Sequence, residues 1–226
     1  MPKKVYILSG LGADERVFQK IDFPGYSVTY INWIEPKANE TIENYASRLL
    51  IQITGSNPVI VGLSFGGIMA MEIAKLINTR LVILISSVRT RLEIPFYYRW
   101  AGWLGLHYLL PAGLFKRSGI IVNWFFGTGS YFDRRLLKQI LIDTDPKFLK
   151  WAIDRIVTWD NNKLPDNLIH IHGTSDRIIP LRFVSPDIPV NNGGHLMTLD
   201  KSTELSAILQ DQLNSVFLED FSNNKA

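Results

Sequence analysis

The sequence predicts an open α/β fold: a mostly parallel sheet of about six strands, with helices on both faces and a helical insertion. Three observations predict it. Short β-rich apolar runs alternate with helix-like segments along the chain. Several of those runs are apolar at both alternating positions, as in strands covered on both faces. The length of 226 residues, 46% of them hydrophobic and 20% charged, suits one soluble domain with a sizeable core.

The elements follow in order. Residues 4–10 (KVYILSG) read as a first strand rather than a signal peptide, so a cytoplasmic chain is expected. Residues 27–33 (SVTYINW) read as a second strand. In residues 41–53, Ile42, Tyr45, Ala46, Leu49 and Ile53 share one helical face. Residues 57–62 (NPVIVG) are a third strand. The next helix, 65–77, repeats Ile68, Met69, Ile73 and Leu76 at helical spacing. Strands are expected at 81–87, 167–173 and, briefly, 187–190, and a last helix at 202–217. In such a sheet, function gathers at the carboxyl ends of the strands.

Residues 88–150 break the pattern. They hold no convincing core strand, and residues 96–132 carry 12 of the 26 aromatics. The run FYYRWAGWLGLHYLLPAGLF is interrupted by Arg99, His107 and Pro111, so no uncharged span reaches the length of a membrane helix. A helical cap is expected at 88–150, over a core of 1–87 and 151–226. Trp100, Trp103, His107 and Trp124 are its candidate substrate-binding residues. A membrane-surface helix is the alternative reading of this segment.

The net charge is +3, with +5 concentrated in residues 89–135. No nucleic-acid motif accompanies this basic stretch, so no nucleic-acid partner is expected. The chain has no cysteine, which excludes disulfides, thiolate metal sites and a thiol nucleophile. The histidines show no metal-ligand spacing, so no metal is expected. GLGADE lacks the third glycine of a dinucleotide loop, so no cofactor is expected either.

The chemistry gathers around VIVGLSFGG, residues 59–67. Gly62-Leu63-Ser64-Phe65-Gly66 matches G-x-S-x-G, with a strand before it and a helix after it. In that context the serine occupies a strained turn, and the residues two before and two after lie too close to backbone for a side chain. The bland alternative is a glycine-rich packing turn. A serine hydroxyl is a weak nucleophile and needs a general base with an orienting partner. Asp176, just past the fifth strand in HGTSDRIIP, is a candidate for the partner; it is also good turn chemistry. His195 in NNGGHLM is the candidate base. A lone loop histidine is usually just solvated, but this one completes the order Ser…Asp…His. Two backbone donors would stabilise an oxyanion. Phe65 N–H directly follows the serine. Leu11 N–H, in the loop SGLGAD, is the other candidate, with Gly12 next.

Taken together, SGLGADERVF, VGLSFGG, HGTSDRIIP and GGHLM resemble the α/β-hydrolase superfamily over nearly the whole chain, closest to its small, capped, esterase-like members. The resemblance implies Ser64 as nucleophile, His195 as base and then acid, and Asp176 as its partner. It also implies an acyl-enzyme resolved by water. Three departures stand out. The two antiparallel strands that usually precede the oxyanion strand are missing. The habitual His-Gly pair of the oxyanion loop is Ser9-Gly10. Only 18 residues separate Asp176 from His195, leaving little room for the usual helix between them. The expected activity is hydrolysis of a carboxylic ester or thioester of a small to medium apolar acyl substrate. A hydrolase-fold binding protein with little turnover, or a lyase using His195 as a base, are the alternatives.

Overall fold

The computed structural model describes residues 3–106 and 120–223. Its six strands are β1 (Lys4–Leu8), β2 (Ser27–Tyr30), β3 (Val59–Leu63), β4 (Leu81–Ile85), β5 (Leu168–Gly173) and β6 (Ile188–Val190). They form one sheet in the order β2-β1-β3-β4-β5-β6, with every neighbouring pair parallel. Parallel neighbours cannot be joined by a hairpin, so the chain crosses over between strands, mostly by helices. From β1 the chain steps outward to β2. It then returns to lay β3 on the opposite side of β1. The strand order reverses there, so loops diverge and leave a crevice beyond the carboxyl ends of β1 and β3. Leu8 stands in register with Gly62, which starts the loop after β1 and the turn after β3 side by side.

The helices are α1 (Ile42–Leu49), α2 (Phe65–Ala74), α3 (Phe96–Trp103), α4 (Ile120–Phe126), α5 (Tyr131–Asp143), α6 (Pro146–Thr158), α7 (Met197–Asp200) and α8 (Ser202–Asn223). The sheet has an apolar core on each face. On one, Val5, Ile7, Val61 and Ile83 pack with Leu205, Leu209 and Leu213 of α8. On the other, Tyr6, Leu8, Ile60 and Leu84 pack with α1 and α2. This two-sided burial is why the strands read as continuous apolar runs.

Thr41 caps α1 by accepting a hydrogen bond from Asn44 N, and the helix buries Ile42, Tyr45, Ala46 and Leu49. Ile53 lies beyond the helix, after a 3-10 turn at Leu50–Gln52, and packs partly buried against the same core. In α2 every residue from Phe65 to Ile73 is buried, not one stripe. The helix lies between the sheet and other helices, so it is apolar all round. It stops at Ala74, and Leu76, expected on its buried face, is 46% exposed.

The described part of residues 88–150 is helical. Its α5 sends Leu137, Ile140 and Leu141 into the first core. Phe148 and Ala152 of α6 join the second. The expected limit at residue 150 falls inside α6. Among the described residues no helix is long and apolar enough to cross a membrane.

Candidate active site

Ser64 sits between the end of β3 and the start of α2, with φ +52° and ψ −118°. Such positive φ is rare for a residue with a side chain and stores strain. The neighbouring contacts hold it. Ser64 N–H donates to Ile85 O at 2.9 Å, and Ser87 Oγ donates to Ser64 O at 2.7 Å. The flanking glycines are needed for space. A Cβ on Gly62 would lie 2.4 Å from Gly66 O, and one on Gly66 would lie 2.2 Å from Leu8 O. Real Cβ atoms do not approach backbone that closely, so the motif is a steric requirement of this turn. Ser64 remains half-buried while its neighbours are buried.

Asp176 follows β5 and is buried. Its Oδ1 accepts hydrogen bonds from Ile178 N at 2.8 Å and Ile179 N at 2.9 Å. His195 Nδ1 lies 2.8 Å from Asp176 Oδ2, and His195 Nε2 lies 2.9 Å from Ser64 Oγ. A carboxylate can only accept, so Nδ1 carries the proton. In the neutral ring Nε2 is then an acceptor, and the Ser64 hydroxyl donates to it. Residues 131 positions apart in sequence thus form one hydrogen-bonded line.

The short connection between Asp176 and His195 is compatible with this line. It holds only a 3-10 turn at Leu181–Phe183 and β6. Pairing of β6 with β5 brings the two loops together, and Ser175 N donates to Gly193 O at 2.9 Å. The α4 end braces the far side. Leu196 N donates to Phe126 O at 3.2 Å, and the Phe126 ring meets His195 edge-on at 5.9 Å.

Burial works to raise the Asp176 pKa. The charge and hydrogen bond of His195, the neighbouring His172 and the Ile179 N–H outweigh it and hold the carboxyl below its ordinary value. His170 and His172, next to this loop on β5, are wholly buried. Burial, followed by the His172 and Arg89 charges, pushes His170 down to about 3 from an ordinary 6.5. The unfolded chain therefore holds a proton that the folded chain refuses between those values. His170 costs the fold nothing above about pH 6.5, and stability falls as the pH drops below it. Urea unfolding is expected to show a loss of about 2 kcal/mol from this group between pH 7 and 5. The His170→Gln variant should lack that part of the slope; an unchanged slope would contradict the burial argument.

The loop after β1 is fastened from three sides. Ser9 Oγ and Trp33 Nε1 both donate to Ala13 O, at 2.6 and 3.1 Å. Thr144 Oγ1 lies 2.8 Å from Gly12 O. Ser9, standing where the resembling family has histidine, thus ties its own turn. Gly10 adjoins Ser64, since a Cβ on it would lie 3.5 Å from Ser64 Cβ. A cleft of about 430 Å³ lies beside this loop, bordered by Gly12, Ala13, Trp33, Thr144 and Phe148. Neither Ser64 nor Trp100, Trp103 or Trp124 lines it.

Of the aromatic-segment candidates, Trp100 is 65% and Trp103 85% exposed on α3, so neither forms a closed wall. Trp124 is 54% exposed and lies under the Arg177 guanidinium, 4.4 Å from its ring. His107 lies outside the described residues. Ser87, Phe126 and His172, the last a weaker histidine candidate on the fifth strand in the sequence, also touch the Ser64–His195–Asp176 line. For His172 the available signal was a histidine four residues before the acid on a buried strand.

The chain belongs to the alpha/beta hydrolase family, whose model matches residues 7–208. No curated protein matches it by sequence. Among solved structures it is similar to MenH from S. aureus, with a TM-score of 0.71, 15% identity, and coverage of 96% of this chain and 95% of that one. It is also similar to a thermophilic esterase from Thermogutta terrifontis, at TM-score 0.65 and 16% identity, covering 94% of this chain and 90% of that one. A third likeness is to the N-acyl homoserine lactonase AidH, at TM-score 0.71 and 14% identity, covering 96% and 91%. At such identities these likenesses concern the fold.

Proposed function

We propose that the chain is a serine hydrolase that cleaves a carboxylic ester or thioester of a small to medium apolar acyl substrate. One observation carries this reading: the unbroken hydrogen-bonded line from Ser64 Oγ through His195 to Asp176. In the proposed reaction Ser64 Oγ attacks the acyl carbon while its proton moves to His195 Nε2. The tetrahedral oxyanion is met by the N–H groups of Phe65 and Leu11. The tetrahedral adduct collapses, His195 returns the proton to the leaving alcohol or thiol, and an acyl-Ser64 ester remains. Water, deprotonated by His195, then releases the acid and regenerates Ser64.

The Leu11 assignment has its own physical support. Gly10 O accepts from Ala13 N at 3.0 Å, so this carbonyl points into the turn. In a trans peptide the following N–H points the opposite way. Leu11 N–H is thereby turned out of the loop, whose Gly10 adjoins Ser64. Phe65 N–H opens α2, where the helix dipole favours negative charge. Residues 88–150 are taken as the insertion that sets specificity. Trp124 is its best-placed substrate contact, because the end of α4 packs on the His195 loop.

The names of two similar structures, an esterase and a lactonase, agree with acyl–oxygen cleavage. The test is hydrolysis of p-nitrophenyl esters of graded acyl length by the wild type and Ser64→Ala. Activity confined to the wild type is expected, and its length profile would size the acyl site.

A further inference from the structure

β5 presents two imidazoles, His170 and His172, on one face, both with no exposure to solvent. An interior strand of a doubly covered sheet has no packing need for polar rings there; His170 stands in register with the buried Leu84 of β4, and His172 with Pro189 of β6. Buried polar groups are retained at a price in desolvation unless their hydrogen bonds do something specific. His172 Nε2 lies 2.8 Å from Ile179 O and 3.5 Å from Asp176 Oδ2. A carbonyl can only accept, so Nε2 carries the proton. Burial lowers the affinity of His172 for a second proton, and the ring is neutral. Its Nδ1 is then an acceptor, and His170 Nε2, 3.2 Å away, donates to it. One tautomer of each ring follows from a single carbonyl.

The same carbonyl belongs to the loop that holds Asp176. Ile179 N–H is bound by Asp176 Oδ1, and Ile179 C=O is bound by His172. We propose that His172 is a positioning residue: it clamps the Ile178–Ile179 turn and flanks Oδ2, so that the Asp176 carboxylate stays aimed at His195 Nδ1. His170 keeps the His172 ring in the donating orientation. The charged groups around the pair are Asp176 and His195 on the side of His172, and Asp187 and Arg89 on the side of His170. Asp187 and Arg89 form an ion pair, and Asp187 Oδ2 accepts from His170 N at 2.7 Å. That bond is to the backbone N–H of His170 and fixes the strand; the rings themselves are held through Ile179 O.

The inference rests on the serine-hydrolase reading only for its kinetic readout. The direct readout is the downfield proton resonance of the His195 Nδ1–H···Asp176 hydrogen bond. In His172→Leu, with folding verified by circular dichroism, this resonance should shift or vanish. Ester kcat should fall about tenfold to a hundredfold with KM little changed, as for a misaimed catalytic group. His172→Gln places an amide donor near the Nε2 position and should recover most of both signals. An unchanged resonance and kcat in His172→Leu would overturn the proposal. Should the leucine variant not fold, His172→Asn replaces it, since its amide is too short to reach Ile179. Loss in the Asn variant alone would support the clamp; equal behaviour of Asn and Gln would overturn it. Ester hydrolysis that survives Ser64→Ala would sink the hydrolase reading, while the resonance would still decide the role of His172.

Discussion

Ser64→Ala is expected to lower p-nitrophenyl ester turnover at least about a thousandfold. The substitution removes one atom and one hydrogen bond, Oγ to His195 Nε2. It leaves the Cβ, so the strain of φ +52° is unchanged. The bonds of Ser64 N and O to Ile85 and Ser87 use backbone atoms and persist. The melting temperature should therefore stay within a few degrees. A residual rate is expected because the proposed oxyanion donors, Leu11 and Phe65 N–H, are untouched. Preserved turnover would mean that the reaction does not pass through this hydroxyl.

Asp176→Asn is expected to cost roughly ten-thousandfold in turnover, although it is nearly isosteric. The reason is a conflict of donors. Ile178 N and Ile179 N both need an acceptor, and Asp176 Oδ1 supplies it. In the variant the single amide oxygen takes that place, which turns the NH2 group toward His195. His195 Nδ1 must then accept, its proton moves to Nε2, and Nε2 can no longer take the Ser64 proton. The variant should fold and bind substrate with little change in KM. A rate within about tenfold of wild type would contradict the tautomer argument.

Much of this was legible in the sequence because the relevant signals are local. β1, β3 and β4 are buried on both faces and read as uninterrupted apolar runs. Ser64 is legible because two glycines and a strand–helix junction coincide there. Asp176 and His195 are legible once their loops are placed at the same sheet edge. The residues that brace the site are not local. Ser87 reaches Ser64 O only because β4 pairs with β3, a register no single segment encodes. Trp33 and Thr144 act on the loop after β1 from 20 and 132 residues away. His172 looks like any strand residue until the Ile179 carbonyl is seen opposite it. The aromatic insertion was least legible. Its helices carry apolar side chains on core-facing and exposed sides alike, so periodicity does not tell Leu137, in the core, from Trp103, in solvent.

The central claim is that Ser64 is an activated nucleophile. Its most direct test is labelling with a fluorophosphonate probe, followed by mass spectrometry of the modified peptide. The account predicts one adduct per chain, on Ser64, abolished in Ser64→Ala and strongly slowed in Asp176→Asn. No adduct on Ser64 in the folded wild type, or equal labelling of the Asp176→Asn variant, would contradict it.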